Sequence, residues 1–223
     1  MPAIGITGGI STGKTSFCEC LRELAPEAAF FDADRAAREL TDSDEEVRGL
    51  IEKEFGAAVY SASRDLNREA IRSIVFADAE KKHALEQILH PRIRRQWSLE
   101  AEGCRNSTRL FFADIPLLYE TGGETLCDRV VVVACSPSVQ LERLMQRAGV
   151  MDGRAPASPR DEATRASQEL RPPNKVTAQQ MIAAQMPLPE KISRADHVVW
   201  NNGGREVLEE QARLLVNFWE KVP

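Results

Sequence analysis

Residues Gly8 to Thr15 read Gly-Gly-Ile-Ser-Thr-Gly-Lys-Thr, a complete G-x-x-x-x-G-K-[ST] pattern placed directly after the apolar run Ala3 to Thr7. Each residue type answers a charge problem. Glycines let successive backbone N–H groups turn toward phosphate oxygens, Lys14 brings a point charge to the outer phosphates, and the Thr15 hydroxyl can ligate Mg²⁺. The ligand class is therefore a nucleotide polyphosphate, held by Gly9, Ile10, Ser11, Thr12, Gly13, Lys14, Thr15 and Ser16. An ordinary Gly-rich turn is the competing reading, and the pattern says nothing about the acceptor.

Carboxylates stand at two other apolar runs. Phe30-Phe31-Asp32-Ala33-Asp34 delivers two of them to the carboxyl edge of a sheet, where open α/β sheets bind ligands. On extended chain Asp32 and Asp34 point to the same side, and Asp34 could accept the proton of an attacking hydroxyl; capping the next helix is the alternative. Leu110-Phe111-Phe112-Ala113-Asp114 ends in the same way, and an acid there, beside a phosphate loop, serves Mg²⁺ or its waters. Glu120 follows as a candidate supporting group. Arg143 and Arg147 share a helical face and could cover the transferred phosphoryl group, although exposed arginines are also simply solvated. His90, before Pro91, is either packed or in contact with a phosphate or ribose. The loop Asn201-Asn202-Gly203-Gly204 could present main-chain groups to a base, or only turn the chain. Asn174-Lys175-Val176-Thr177 carries Thr where a guanine-reading motif needs Asp, which disfavours a GTPase switch.

These groups need a scaffold, and the apolar pattern supplies one. Ala3 to Thr7, Ala28 to Phe31, Arg109 to Ala113, Arg129 to Cys135 and His197 to Trp200 read as strands, several without alternation, as parallel strands covered on both faces should be. Helices are expected over Lys14 to Leu24, Val139 to Arg147 behind the Ser136 cap, and through Val207, Leu208, Ala212 and Leu215. The long interval after the second strand must form a subdomain of helices, near Asp44 to Phe55, Asn67 to Phe76 and Asp78 to Glu102, with Pro91 kinking or breaking the last. From Ala148 to Lys175, Pro and Gly interrupt an Arg- and Ala-rich run that reads as a flap. A capping box from Thr177 to Gln180 then starts a helix to about Gln185.

Composition sets the outer bounds. A chain of 223 residues suffices for one large α/β domain, and its net charge of −5 argues against coating nucleic acid or an anionic membrane. Its five cysteines are odd in number and lie mostly on apolar stretches, as reduced thiols of a cytoplasmic protein would, with Cys18 and Cys20 divided between helix surface and core. Neither a zinc cage nor a membrane span is expected.

Taken in order, Gly5 to Thr15, Asp32-Ala33-Asp34, His90-Pro91, Asp114-Ile115-Pro116-Leu117-Leu118 with Glu120, and Ala195-Asp196 through Gly203 resemble the dephospho-CoA kinase family along nearly the whole chain. The resemblance implies an α/β P-loop kinase fold with a parallel five-stranded sheet flanked by helices, a core of residues 1–34, 107–147 and 192–223, a helical substrate-side subdomain 35–106, and a lid 148–191. It implies transfer of the γ-phosphoryl of ATP to the ribose 3′-hydroxyl of dephospho-CoA, without an obligate protein partner. On that likeness Asp34 is the base, and Lys14 and Arg147 reach the phosphates. Thr15 and Asp114 lie on the Mg²⁺ side. Asn201, Asn202 and Gly203 sit by the adenine, while Asp32, His90, Leu117, Leu118 and Glu120 serve dephospho-CoA. Two departures stand out: Ser11-Thr12 and Thr15 replace the family's common Gly-Ser and Ser, and about Asp152 to Pro173 looks inserted, so that Arg154 or Arg160 could stand in as a lid arginine. A different small-molecule kinase of this fold, or a nucleotide-responsive binding module, are the other readings.

Overall fold

A computed structural model describes residues 2–61, 63–105, 107, 109–146 and 175–221. Five strands form one parallel sheet in the order β2-β3-β1-β4-β5: β1 Ala3–Gly8, β2 Ala29–Asp32, β3 Phe111–Asp114, β4 Arg129–Ala134 and β5 His197–Trp200. Every residue of β1 and β3, and all of β4 after Arg129, is buried, which is why these runs are apolar without alternation. Each fully buried valine of Val131 to Val133 contributes about 1.5–3 kcal/mol relative to exposure. The chain divides into two compact units, Met1–Gly5 with Glu27–Asp128, and Ile6–Pro26 with Arg129–Pro223.

In the first unit, helices α2 (Ala33–Ser43), α3 (Glu45–Phe55), α4 (Arg68–Ala77) and α5 (Ala79–Arg105) follow β2. They share a core of Leu40, Val47, Ile51, Val59, Tyr60 and Ile71. Inside it, Tyr60 donates its hydroxyl hydrogen to the Thr41 carbonyl at 3.0 Å, and at the surface beside it Arg68 holds both carboxylate oxygens of Asp42 at 2.7 and 2.8 Å. Of the kink or break expected at Pro91, the break does not occur. One proline removes a single intrahelical hydrogen bond, and α5 runs on through it for 27 residues.

In the second unit, α1 (Lys14–Leu24) packs on α9 (Arg205–Trp219) through Phe17, Cys18, Cys20 and Leu21 on one side and Leu208, Ala212, Val216 and Trp219 on the other. Cys18 and Cys20 are both buried, correcting the expected division between surface and core; α1 is covered over more of its circumference than a one-sided helix. All five cysteines are free thiols. Between β4 and β5 lie α6 (Pro137–Gln146), α7 (Lys175–Ala183) and α8 (Leu188–Ser193). Helix α7 already includes Lys175 and Val176, so Thr177 is inside the helix and not its cap. Helix α8 is a further element that the sequence pattern did not separate, although Pro189 in its first turn was a usable start signal. Residues 147–174, and with them Arg147, Arg154, Arg160 and the apparent insertion, lie outside the described residues. No helix among the described residues is long and apolar enough to cross a membrane.

His197 on β5 stands edge-on to Phe218 and Trp219, with ring centroids 5.6 and 5.8 Å away. Burial lowers its pKa below the ordinary value of 6.5, against an opposing pull from Asp196. A base kept neutral when folded, yet free to take a proton when unfolded, weakens the fold on acidification. Its contribution is complete above the unfolded pKa and is lost as pH falls from there toward the lower folded value. The melting temperature should therefore drop between about pH 7.5 and about pH 5.5, and His197→Gln should flatten that slope. Parallel slopes for the two proteins would remove His197 as the cause.

Candidate active site

The phosphate loop joins the end of β1 to the start of α1, and its carbonyl oxygens are held by hydrogen-bond donors. Lys191 Nζ lies 3.3 Å from the Gly8 oxygen, and Thr12 Oγ1 donates to the Gly9 oxygen at 2.9 Å. Gln140 Nε2 donates to the Ile10 oxygen, and Asn201 Nδ2 to the Thr12 oxygen, each at 2.9 Å. The Gly13 oxygen accepts from the Phe17 amide within the first turn of α1. Carbonyl oxygens repel phosphate, so tying them down one by one is what a polyanion site requires. Two loop amides are tied as well: the Ile10 N–H donates to Gln185 Oε1 at 2.9 Å, and the Thr12 N–H to the Gly9 oxygen at 3.3 Å.

Two glycines are required by close approach. A Cβ at Gly8 would stand 2.5 Å from the Val133 carbonyl oxygen, and one at Gly13 would stand 1.9 Å from Asn201 Nδ2. Gly13 also has φ +93° and caps α1 without a side-chain hydrogen bond, and no acid occupies that helix's first turn. Helices α2, α3 and α4 begin differently, with Asp32, Asp44 and Asn67 accepting the amides of Arg35, Val47 and Ala70 at 2.9, 3.0 and 3.0 Å. The N-terminus of α1 is thus the one among these four left without a side-chain cap, as anion binding favours. Lys14 and Ser16 are half-buried there, and Thr15 is exposed.

Ser11 adopts φ 59°, a left-handed conformation, and its buried Oγ has no hydrogen-bond partner among the described residues. Left-handed backbone costs a non-glycine residue roughly 1–2 kcal/mol. Ser11→Gly should therefore stabilise the protein by about 1 kcal/mol after the added chain entropy of glycine is subtracted. For a chain of this size that raises the melting temperature by about 2–4 °C, and an unchanged or lower value would show that Ser11 is not strained.

The Asn201 loop follows β5. Asn201 is buried, with its amide N–H donating to the Ala134 oxygen at 2.7 Å and its own oxygen accepting from Arg143 at 2.9 Å. Its side chain thus braces the phosphate loop, and Arg143, one of the two arginines considered for the phosphoryl group, is tied to backbone. Asn202 Oδ1 accepts the Ser136 amide at 2.8 Å, while Gly203 is exposed.

In the other unit, Asp32 and Asp114 are Cα partners in the parallel β2–β3 register, so both carboxylates reach the same strand edge. The chain is not extended through Asp34. Helix α2 begins at Ala33, Asp32 is its cap, and Asp34 lies exposed in its first turn, so the expected side-by-side placement of the two acids is replaced by a cap and a first-turn helical position. Asp114 is buried, and Glu120 exposed. Leu117 is half-buried, whereas Leu118 is fully buried. His90 is half-buried in α5, and burial lowers its pKa against Glu86, which favours the neutral ring.

A family model described as dephospho-CoA kinase matches residues 2–172. The chain belongs to the dephospho-CoA kinase family. The dephospho-CoA kinase of Geobacillus kaustophilus is 34% identical over 97% of this chain and 96% of the relative. That of Anaeromyxobacter dehalogenans is 39% identical over 98% and 92%. Among solved structures, one from Thermus thermophilus superposes with a TM-score of 0.70 at 29% identity, covering 100% of this chain and 98% of its own. The dephospho-CoA kinase from Campylobacter jejuni gives 0.68 at 22% identity over 98% and 97%, a likeness of fold. Within this family member, the residues that sequence reasoning missed are Gln140, Gln185 and Lys191. They share no motif with the loop they hold, and the burial of Gln140 on α6 is visible only in the fold.

Proposed function

We propose that the chain is a dephospho-CoA kinase, moving the γ-phosphoryl group of ATP to the ribose 3′-hydroxyl of dephospho-CoA to give CoA and ADP. The observation that carries this reading is the phosphate loop with its carbonyl oxygens tied down ahead of an α1 N-terminus that has no side-chain cap, in a chain whose relatives bear that name. As the acceptor oxygen bonds to the γ-phosphorus, the bond from that phosphorus to the β–γ bridging oxygen breaks, and the hydroxyl proton passes to the Asp34 carboxylate. Lys14 and the loop amides meet the charge on the phosphates, and Arg147 is the lid arginine by family likeness. Exposed Asn202 and Gly203 face the adenine, while Asn201 contributes by bracing the loop. Asp32, His90, Leu117 and Glu120 line the dephospho-CoA side, Leu118 supporting them from the core.

Thr15 and Asp114 are the groups that would hold Mg²⁺. A hydroxyl and a carboxylate are hard oxygen donors, and an ion borne mainly by phosphates needs few protein ligands; among the described residues no three His, Cys, Asp or Glu side chains gather into a cage. When bound, the ion neutralises charge on the phosphates. The test is ADP release measured across an acceptor panel of dephospho-CoA, shikimate and nucleosides. Release dependent on dephospho-CoA, with CoA as product, is the expected result. Acceptor-independent hydrolysis alone, or preference for another acceptor, would overturn the assignment.

A further inference from the structure

Four loop carbonyls are held by side chains, and three of the donors are neutral: the Thr12 hydroxyl and the amides of Gln140 and Asn201. The fourth is not. At Gly8, where the loop leaves β1, the donor is Lys191, a residue of α8 that is 0% exposed. Burying a lysine is expensive unless its charge is compensated, and a neutral donor suffices merely to orient a carbonyl, as its three neighbours demonstrate. A cation at this point does something that a glutamine could not. It adds positive potential beneath a loop whose ligand carries several negative charges, in surroundings where solvent screening is weak.

We propose that Lys191 is a positioning and electrostatic residue of the nucleotide site, fixing the first glycine of the phosphate loop and favouring the polyphosphate through its charge. The proposal rests on the nucleotide-binding reading of the loop and not on the identity of the acceptor. Lys191 makes other contacts besides Gly8, so its removal affects folding too, and the test must separate the two roles.

Three variants do so. Lys191→Met removes donor and charge, Lys191→Gln keeps a donor without charge, and Lys191→Arg keeps the charge. The binding of ATP and of inorganic tripolyphosphate is measured by titration calorimetry at a temperature where each variant is folded, beside KM for each substrate and the melting temperature. Lys191→Met and Lys191→Gln should both weaken ATP and tripolyphosphate roughly ten- to a hundredfold, with KM for dephospho-CoA unchanged and Lys191→Arg recovering most of the loss. In the wild-type protein with ¹⁵N-labelled lysine, the signal of the solvent-protected Nζ should shift on adding tripolyphosphate; this covers the case in which the neutral variants do not fold. Lower melting temperatures with unchanged tripolyphosphate affinity, or an unmoved Nζ signal, would reduce Lys191 to a packing role. A wild-type protein that binds neither ATP nor tripolyphosphate would instead overturn the nucleotide reading itself.

Discussion

Gly13→Ala is expected to abolish measurable ATP binding and to lower the melting temperature. Two costs combine at this position. A residue with Cβ at φ +93° pays roughly 1–2 kcal/mol for left-handed backbone. The new methyl would also stand 1.9 Å from Asn201 Nδ2, so Asn201 must leave the Thr12 carbonyl or the loop must change shape. Either way the peptide groups that should face phosphate lose their brace. Gly56 provides the control, because it has φ +90° with nothing within 4 Å of the added atom. Gly56→Ala should show the backbone cost alone and retain ATP binding. Should the two variants behave alike in both measurements, the Asn201 brace would be irrelevant to the nucleotide.

Asp34→Asn should cut turnover by about a hundredfold or more while ATP affinity stays within about twofold of wild type. The amide keeps the shape of the side chain but takes no proton at neutral pH. Asp34 sits exposed in the first turn of α2, where its carboxylate is also favoured by the helix dipole, so some stability is lost with it. Asp32 separates the two effects. Its carboxylate caps α2 through the Arg35 amide at 2.9 Å, and asparagine caps nearly as well, so Asp32→Asn should leave both stability and proton acceptance largely intact. The pair of kcat values identifies the base: a large loss in Asp32→Asn with little in Asp34→Asn would move the role to Asp32.

The difference between these two acids shows what a local reading can and cannot reach. Phe30 to Asp34 announced a strand ending in carboxylates, and β2 with Asp32 at its end is there. Whether Asp34 continued the strand or entered a helix depended on a single peptide, and the burial of Ala33 and Ala36 against their own unit decided for the helix. Thr177 is the same problem at α7. Its spacing to Gln180 satisfies a capping box, yet that spacing also fits a helix interior, and α7 already includes Lys175 and Val176. Pro91 does not end α5, because its local penalty is fixed, whereas the packing that offsets it along a long helix belongs to the tertiary fold.

What the sequence determined by itself is the chemistry that lies within one short stretch: the phosphate loop between β1 and α1, the acids at the ends of β2 and β3, and the ordered motifs that place the chain in its family. Those signals are legible because each is carried by neighbours along the backbone. Only the tertiary structure decided what holds the loop in place. Gln140, Lys191 and Asn201 reach it from 130, 183 and 189 residues away, joined to it by no spacing rule. Their hydrogen bonds exist because the sheet brings β4, β5 and their helices to the loop, and a buried carbonyl must find whichever donor the fold has placed there.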